Sequence, residues 1–424
     1  MLDLILRNAA LPDGRSGIDI ACGGGRIVGL GPALKATAAR EIDAGGRLVS
    51  PPFVDCHFHM DATLSLGRPR LNLSGTLLEG IALWGELRAI QTAQEIVERA
   101  LRYCDLAVAQ GILAIRSHVD VTDARLVGVE ALLEARRRVA PYIDLQLVAF
   151  PQDGLLRSPG AEANLLRALD MGVDVVGGIP HFERTMADGE ASVRRLCAIA
   201  AERGLRLDFH CDETDDPMSR HVETLAAEVA RLGLGARATA SHLTSIHSMD
   251  NYYASKLIPL IAESGLNVVA NPPINILLSG RHDTFPKRRG MTRVAELAAA
   301  GVTVAFGQDC MMDPWHPLGN ADMLEVASIG LHVGQLSSRA GMAACFDAVT
   351  ANAAAVMGLE GYGVRVGARA DMVVLDAPDP IEAIRTGATR LFVIRAGAVI
   401  AETAPRVTRL ALAGRPDALR HGVA

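Results

Sequence analysis

Short apolar segments that alternate with helix-like segments constrain the fold of this chain most strongly. Eight runs with the composition of buried strands lie between residues 53 and 307. Such runs, separated by segments with helical periodicity, predict βαβ units whose parallel strands are covered on both faces. Eight units over about 300 residues predict an α/β fold, a TIM-type (β/α)8 barrel. The predicted strands are Phe53–His57, Ile112–Ser117, Ile143–Phe150, Val173–Gly178, Arg206–His210, Ala236–Ser241, Asn267–Asn271 and Val302–Gly307.

Both ends of the chain differ from this pattern. They contain short strand-like runs separated by glycines, such as Leu2–Leu6 near the start and Val364–Val366 near the end. Gly23-Gly24-Gly25 lacks the spacing and the following helix of a phosphate-binding loop, so it predicts a hairpin turn. The predicted domains are a small β-sandwich of residues 1–51 and 361–424, built from both chain ends, and a catalytic barrel of residues 52–360.

Composition argues against several classes of function. The net charge is −6 and aromatic residues make up 4% of the chain, so nothing favours nucleic acid or an anionic membrane as a partner. No apolar run approaches the roughly 20 residues that span a bilayer, and the first residues lack the basic leader of a signal peptide. Seven scattered cysteines without a Cys-x-x-Cys spacing predict reduced thiols in the cytoplasm.

Polar residues recur at the ends of the predicted strands, which is where the active sites of such barrels lie. His57 and His59 point the same way from the end of the first strand, because side chains alternate along a strand. His210 ends the fifth strand, and Asp309 follows the eighth. Three imidazoles and a carboxylate suit Zn2+ or Fe2+ and leave a coordination position for water. We therefore predict a divalent-metal site made of these four residues.

Two neighbouring residues have the chemistry of proton transfer. Glu213, three residues after a predicted ligand, can carry a proton from water to a leaving group. His242 ends the sixth strand and can orient the water, while Asp309 can also act as a base. A glutamate that is not a ligand but lies beside a metal-activated water is the arrangement that deamination of a ring amine requires.

The distribution of lysine favours one metal over two. A second metal in such a barrel would be bridged by a carboxylated lysine at the end of the fourth strand. The chain has lysine only at Lys35, Lys256 and Lys287, none of which falls there. A carboxylate bridge stays open, although Glu183 lies slightly beyond that strand end.

Nine segments carry a resemblance that runs nearly end to end. They are Pro51–Val54, Ser74–Gly80, His118–Asp120, Val148–Gln152, Ile179–Glu183, His210–Glu213, Ala240–His242, Asp283–Gly290 and Asp313–Trp315. With these segments and the strand-end histidines, the chain resembles the amidohydrolase superfamily and, within it, the bacterial cytosine deaminases. The resemblance implies a hydrolase of C–N bonds in cyclic amidines, with a nucleobase as substrate and a homo-oligomeric assembly.

The same resemblance implies roles for single residues. The four predicted ligands would hold one iron or zinc ion. Glu213 would pass a proton to ring N3 and to the departing ammonia, and His242 would handle the attacking water. Gln152 would read the carbonyl and ring NH of a pyrimidine with its amide. Leu77 and Trp315 would line the pocket.

The chain departs from the cytosine deaminases at two neighbouring positions. Those enzymes carry two consecutive aspartates after the eighth strand, whereas this chain has Asp309-Cys310. A thiol is smaller and less polar than a carboxylate, and it leaves room for a methyl group on C5 of the base. The change is similar to the subgroup that deaminates 5-methylcytosine, although a cytosine preference stays open. Gln308 replaces the usual histidine before the aspartate, and the sequence offers no account of that change.

Two other interpretations stay open. The first is a member of the same superfamily that deaminates or dealkylates another planar ring, such as an s-triazine or isoguanine. The second is a barrel without catalytic activity that binds metal, which the complete set of histidine, aspartate and glutamate residues disfavours. A serine hydrolase is excluded, because no Gly-x-Ser-x-Gly elbow is present.

Overall fold

Four of the five strands near the start of the chain form one sheet. The structure is a computed structural model and describes residues 2–423. These strands are β1 (Leu2–Ala9), β2 (Ile18–Gly23), β3 (Arg26–Gly31), β4 (Ala38–Asp43) and β5 (Leu48–Ser50). The first four pair in the order β3-β2-β1-β4. Gly24 and Gly25 turn the antiparallel pair β2 and β3 with φ angles of 59° and 73°, which confirms the predicted hairpin turn.

Eight parallel strands form the barrel that the sequence pattern predicts. They are β6 (Phe53–Phe58), β7 (Ile112–Asp120), β8 (Asp144–Phe150), β9 (Val175–Gly178), β10 (Arg206–Cys211), β11 (Ala238–His242), β12 (Asn267–Ala270) and β13 (Val304–Phe306). The barrel closes where Phe58 pairs with Asp309. There the His59 amide donates to the Asp309 carbonyl oxygen at 2.9 Å, and the Asp309 amide donates to the His57 carbonyl oxygen at 2.8 Å. Three of the predicted ligands therefore lie on the closing seam of the barrel.

Helices connect the strands and cover the outside of the barrel. They are α1 (Leu77–Ile90), α2 (Ala93–Ala109), α3 (Val127–Val139), α4 (Ala161–Asp170), α5 (Met186–Arg203), α6 (His221–Leu232), α7 (Asn251–Ser264), α8 (Pro272–Leu278), α9 (Val294–Ala299), α10 (Met323–Val333), α11 (Arg339–Ala348), α12 (Ala351–Met357) and α13 (Pro380–Thr386). Local sequence sets their ends. Thr92 and Glu95 form a reciprocal capping box at the start of α2. Gly204 ends α5 in the left-handed conformation.

The last strands return to the N-terminal part of the chain. They are β14 (Met372–Leu375), β15 (Arg390–Arg395) and β16 (Ala398–Glu402), followed by an exposed hairpin of β17 (Val407–Arg409) and β18 (Ala418–Arg420). β14 to β16 and β5 form one sheet in the order β16-β15-β14-β5. Leu4 and Ile20 share a buried core with Met372 and Ile394. This core confirms the β-sandwich built from both chain ends, while its boundaries at residues 51 and 361 stay a prediction.

One predicted strand is wrong. Residues Val364–Val366 turn instead of extending, because Gly363 and Gly367 on either side have φ angles of 110° and 87°. The Ala368 amide then donates back to the Arg365 carbonyl oxygen. The strand β4 and the hairpin of β17 and β18 were not predicted, since most of their residues are exposed and lack an alternating apolar pattern.

One helical stretch bears on the expectation that no apolar run is long enough to span a bilayer. Arg339–Met357 is long and apolar enough to cross a membrane by length and composition alone. Half of it is buried inside the protein, and the Phe346 ring packs edge-on against Phe53 of β6 with centroids 5.9 Å apart. A core helix passes the same test, so the stretch is weak evidence for a membrane span. All seven cysteines are free and buried, in agreement with the predicted reduced thiols.

Buried ion pairs connect elements that are far apart in the sequence. Inside the barrel, the fully buried Arg116 of β7 contacts Asp208 of β10 at 2.7 Å and donates to a backbone carbonyl oxygen of α12 at 2.9 Å. Asp144 at the start of β8 contacts Arg369 at 2.6 Å and Arg395 at 2.8 Å, which joins the barrel to the sandwich. Burial alone would raise the pKa of Asp144, but the two arginines outweigh it and lower that pKa.

Candidate active site

The four predicted metal ligands converge at the carboxyl ends of the barrel strands. His57 and His59 come from β6, His210 from β10, and Asp309 from the segment after β13. Their ligand atoms all lie within 4.8 Å of one another, and all four residues are buried. The Nε2 atom of His59 is 2.9 Å from Nε2 of His210 and 3.2 Å from Oδ1 of Asp309.

The arrangement of two buried atoms fits a metal ion. Nε2 of His57 and Oδ1 of Asp309 lie 3.4 Å apart, and neither forms a hydrogen bond of good geometry with any residue the structure describes. Buried polar atoms normally have a partner, and an unpaired one is costly. Three imidazole nitrogens and a carboxylate oxygen that face one another can hold a cation between them, and this mixed set suits a divalent transition metal.

A further histidine holds this cluster in place. His118 on β7 is fully buried, and its Nε2 atom lies 3.1 Å from Nδ1 of His57. Burial lowers the pKa of His118, and the nearby His57 and His59 lower it further, so its ring is neutral. A hydrogen bond to the second nitrogen of a ligating imidazole fixes the orientation of the ring. Sequence reasoning included His118 in a matching segment but gave it no role.

Glu213 and His242 lie on the opposite side of the cluster. Oε1 of Glu213 is 3.3 Å from Nδ1 of His242, and both residues are buried. Burial raises the pKa of Glu213, and the charge of Asp309 raises it further. The pKa of His242 is lowered, first by burial. Asn275 on α8 donates to Nδ1 of His242 at 2.9 Å, a contact that the sequence did not predict.

The turn that carries Glu213 is itself locked in place. Asp212 has a φ of 51°, which turns the chain sharply after β10. The carboxylate of Asp212 accepts hydrogen bonds from Ser219 at 2.7 Å, from the ring of His221 at 2.8 Å and from the amide of Val222 at 2.8 Å. The Glu213 carboxylate is therefore held by a rigid backbone.

These residues open into a pocket whose empty volume, counted together with the open solvent at its mouth, is about 330 Å³. The predicted substrate contacts Leu77, Gln152, Cys310 and Trp315 all line it, together with His59, His210, Glu213 and Asp309. His57 and His242 lie beneath its surface. Three apolar wall residues were missed, because nothing in their local sequence separates them from core residues: Ile179, Ile274 and Leu278.

Packing fixes the pocket wall around Trp315. The indole lies against Gly80 of α1, where an added Cβ atom would come 2.2 Å from the ring, so only glycine allows this approach. Cys310 is 2% exposed. Burial raises the pKa of its thiol well above the ordinary value, and the charges of Asp309 and Asp313 raise it further, so the thiol stays neutral.

A (β/α)8 barrel with a cluster of predicted metal ligands and a buried glutamate at its strand ends is typical of metal-dependent hydrolases. Comparison with known proteins identifies the family within this class. Residues 40–405 match the model of the amidohydrolase family, and the chain belongs to that family. It is a hydrolase that acts on C–N bonds, as the sequence predicts.

Several relatives match over nearly the whole chain. N-isopropylammelide isopropyl amidohydrolase of Pseudomonas sp. (strain ADP) is 33% identical over 94% of this chain and 97% of its own length. Pterin deaminase of Rhizobium rhizogenes is 30% identical over 95% of this chain and 94% of its own length. A solved 5-methylcytosine deaminase of Klebsiella pneumoniae, liganded with 5-fluorocytosine, superposes with a TM-score of 0.93 at 43% identity over 96% of this chain and 99% of that one. Together these relatives support a metal-dependent hydrolytic deaminase; the predicted family is confirmed, and the solved deaminase supports the predicted resemblance to its subgroup.

Proposed function

We propose that this enzyme deaminates cytosine-type pyrimidine bases and prefers 5-methylcytosine, which it converts with water to thymine and ammonia. The observation that carries the proposal is the neutral, buried thiol of Cys310 in one pocket with the Gln152 amide and the Glu213 carboxyl. The likeness to the Klebsiella 5-methylcytosine deaminase at 43% identity supports it.

In this proposal His57, His59, His210 and Asp309 hold one Fe2+ or Zn2+ ion. A divalent metal in such a site lowers the pKa of a bound water and makes it a nucleophile near neutral pH. The fourth strand offers no bridge for a second ion, since β9 ends in two glycines and the next carboxylate, Glu183, accepts hydrogen bonds from the backbone of Leu155 and Arg157. One metal per chain is therefore expected.

Proton transfer is assigned to Glu213 and His242. The raised pKa of Glu213 suits a group that takes a proton from the attacking water and gives it to ring N3 and then to the leaving amine. His242 is 3.3 Å from Glu213 and is held by Asn275, so it can orient the water. The water oxygen replaces the amine on C4, and its two hydrogens end on the ring nitrogen and on ammonia.

Recognition of the base is assigned to the remaining pocket residues. The Gln152 side chain is 5% exposed and carries one hydrogen-bond acceptor and two donor hydrogens, a match for the carbonyl and ring NH of a pyrimidine. Leu77 and Trp315 bound the ring with apolar surface. Cys310 lines the same pocket and is small enough to accept a methyl group on C5.

A side-by-side assay of ammonia release tests the proposal. Metal-free protein reloaded with Fe2+ or Zn2+ should release ammonia from 5-methylcytosine at least as fast as from cytosine. Isoguanine serves as a control base that shares an amidine edge. Activity on cytosine with none on 5-methylcytosine would overturn the assigned preference, and activity on neither would overturn the substrate class.

One relative supports a second candidate, hydrolysis of an alkylamine from an s-triazine. The Pseudomonas isopropyl amidohydrolase is 33% identical over nearly the whole chain. Release of isopropylamine from N-isopropylammelide, measured in the same assay series, distinguishes the two candidates. The homo-oligomer and the cytoplasmic location implied by the sequence stay predictions.

A further inference from the structure

Arg88 connects two walls of the candidate active site, although it does not line the pocket itself. It lies in the last turn of α1, and 19% of its side chain is exposed. Its Nη1 atom donates to the carboxylate of Asp120 at the end of β7, and Nη2 donates to Asp153, shortly after β8, at 2.7 Å. One planar cation therefore joins a helix to the ends of two neighbouring strands.

The contact with Asp153 holds the turn that carries Gln152. The backbone amide of Gln152 donates to the Phe150 carbonyl oxygen at 3.0 Å, and that of Asp153 donates to Oγ1 of Thr122 at 3.3 Å. The reach of the Gln152 side chain into the pocket depends on where this turn lies. Arg88 fixes the turn from outside the pocket, because it binds the carboxylate of the very next residue.

The contact with Asp120 supports the apolar wall of the pocket. The same carboxylate oxygen accepts a hydrogen bond from the indole N–H of Trp84 at 2.8 Å. Trp84 is 2% exposed, and its ring centroid lies 6.2 Å from that of Trp315. Trp315 lines the pocket together with Gln152. Arg88 therefore contacts the supports of both the hydrogen-bonding wall and the apolar wall.

Burial and charge strengthen this arrangement. The side chains of Asp120 and Asp153 are 4% and 27% exposed. Burial alone would lower the pKa of Arg88, but the charges and hydrogen bonds of the two aspartates outweigh it and raise that pKa, so the guanidinium stays charged. A lysine ammonium is a single point charge without this planar fork, so it would not bind both carboxylates equally well.

We propose that Arg88 is a positioning residue that holds Gln152 and Trp315 in the relative position that binds a pyrimidine ring. The proposal deepens the proposed function and rests on its assignment of Gln152 to the carbonyl and ring NH of the base. A contact of equal strength in the ground state and the transition state lowers KM without changing kcat. Loss of Arg88 should therefore weaken binding of the base and leave proton transfer at Glu213 in place.

Steady-state kinetics of metal-loaded variants test this role. Arg88→Met removes both ion pairs, and we expect it to raise KM for 5-methylcytosine by about tenfold or more while kcat stays within about threefold. Arg88→Lys should raise KM less. In a Gln152→Ala background, Arg88→Met should have a much smaller effect, because the main side chain that it positions is gone. The same increase in KM with and without Gln152, or a loss of kcat at unchanged KM, would overturn the proposal.

Arg136→Met is the matched control for the loss of an arginine ion pair. Arg136 on α3 contacts Asp174 at 2.7 Å, and Asp174 directly precedes β9, at the end of the barrel opposite the candidate site. This variant should keep the wild-type KM. Thermal unfolding and metal content of each variant establish that it is folded and loaded.

Hydrogen–deuterium exchange tests the same contact without any substrate. Arg88→Met should speed exchange of the backbone amides in residues 151–158 relative to the wild type, whereas Arg136→Met should leave it unchanged. Unchanged exchange in Arg88→Met would overturn the proposal. That result is distinct from a failure of the proposed function, which would appear as wild-type enzyme that releases no ammonia from either pyrimidine.

Discussion

Replacing Cys310 with aspartate should shift the substrate preference from 5-methylcytosine toward cytosine. The Cys310 side chain is 2% exposed and lines the pocket with Gln152 and Trp315. Asp309 and Asp313 lie on either side and already raise the pKa of the thiol. A carboxyl group at this position would feel both negative charges and would keep a proton or a bound water; in either form it is bulkier and more polar than the thiol, which disfavours a methyl group on C5.

The size of the shift follows from the burial of one methyl group. Transfer of that group out of water contributes about 0.8 kcal/mol, which is about a fourfold effect on kcat/KM. In a closed pocket, one additional carbon atom on the substrate changes the binding of the transition state by about 1–3 kcal/mol, which is about 10- to 200-fold in kcat/KM. We therefore expect the ratio of kcat/KM for 5-methylcytosine to that for cytosine to fall by at least about fourfold, and by about 100-fold where the aspartate retains a water.

The assay compares ammonia release from both bases for the wild type, Cys310→Asp and Cys310→Ser. Serine keeps the size of cysteine without a charge, so its ratio should stay close to that of the wild type. Metal content and thermal unfolding establish that each variant is folded and loaded. A Cys310→Asp variant that is active on cytosine but keeps the wild-type ratio would show that another residue sets the preference.

Three further predictions concern proton transfer and stability. Glu213→Gln should lower kcat by at least about 100-fold while metal content stays at the wild-type level; retained turnover would contradict the assigned role. Arg116→Leu should lower the free energy of unfolding, measured by urea denaturation, by about 3–5 kcal/mol, because it removes the charge that pairs with Asp208. The double variant with Asp208→Leu should recover most of this loss. An Arg116→Leu variant as stable as the wild type would refute the reasoning. Asp144 has a lowered pKa, so its contribution to stability is present above about pH 4 and is lost as the pH falls through the folded-state pKa. Asp144→Asn should therefore melt at a lower temperature than the wild type at pH 7, and the difference should narrow in acid; a difference independent of pH would contradict the ion pairs.

Sequence reasoning located the strand-end residues because they obey a rule of the fold. His57 and His210 end predicted strands and Asp309 follows one, and a barrel brings the carboxyl ends of its strands together. The predicted strand Phe53–His57 agrees with β6 (Phe53–Phe58) to within one residue, since a short apolar run marks it. These features depend on residues that are close together in the sequence.

Contacts between distant residues could not be predicted in the same way. His118 lies 61 residues after His57, and Asn275 lies 33 residues after His242. Each pair depends on how far the strands and α8 are shifted relative to one another, which no local pattern encodes. The prediction for Val364–Val366 failed because the alternation of valine and arginine fits a strand, whereas the positive φ angles of the flanking Gly363 and Gly367 turn the chain there.

The register of the barrel seam determines where the Asp309 carboxylate lies. Backbone hydrogen bonds of Asp309 to His57 and His59 close the barrel, and the same residue turns its carboxylate into the active site. A shift of the seam by one residue would put Gln308 or Cys310 in the place of Asp309 and would remove the carboxylate from the ligand cluster. The backbone pairing that closes the barrel and the ligand set at its strand ends therefore depend on the same register.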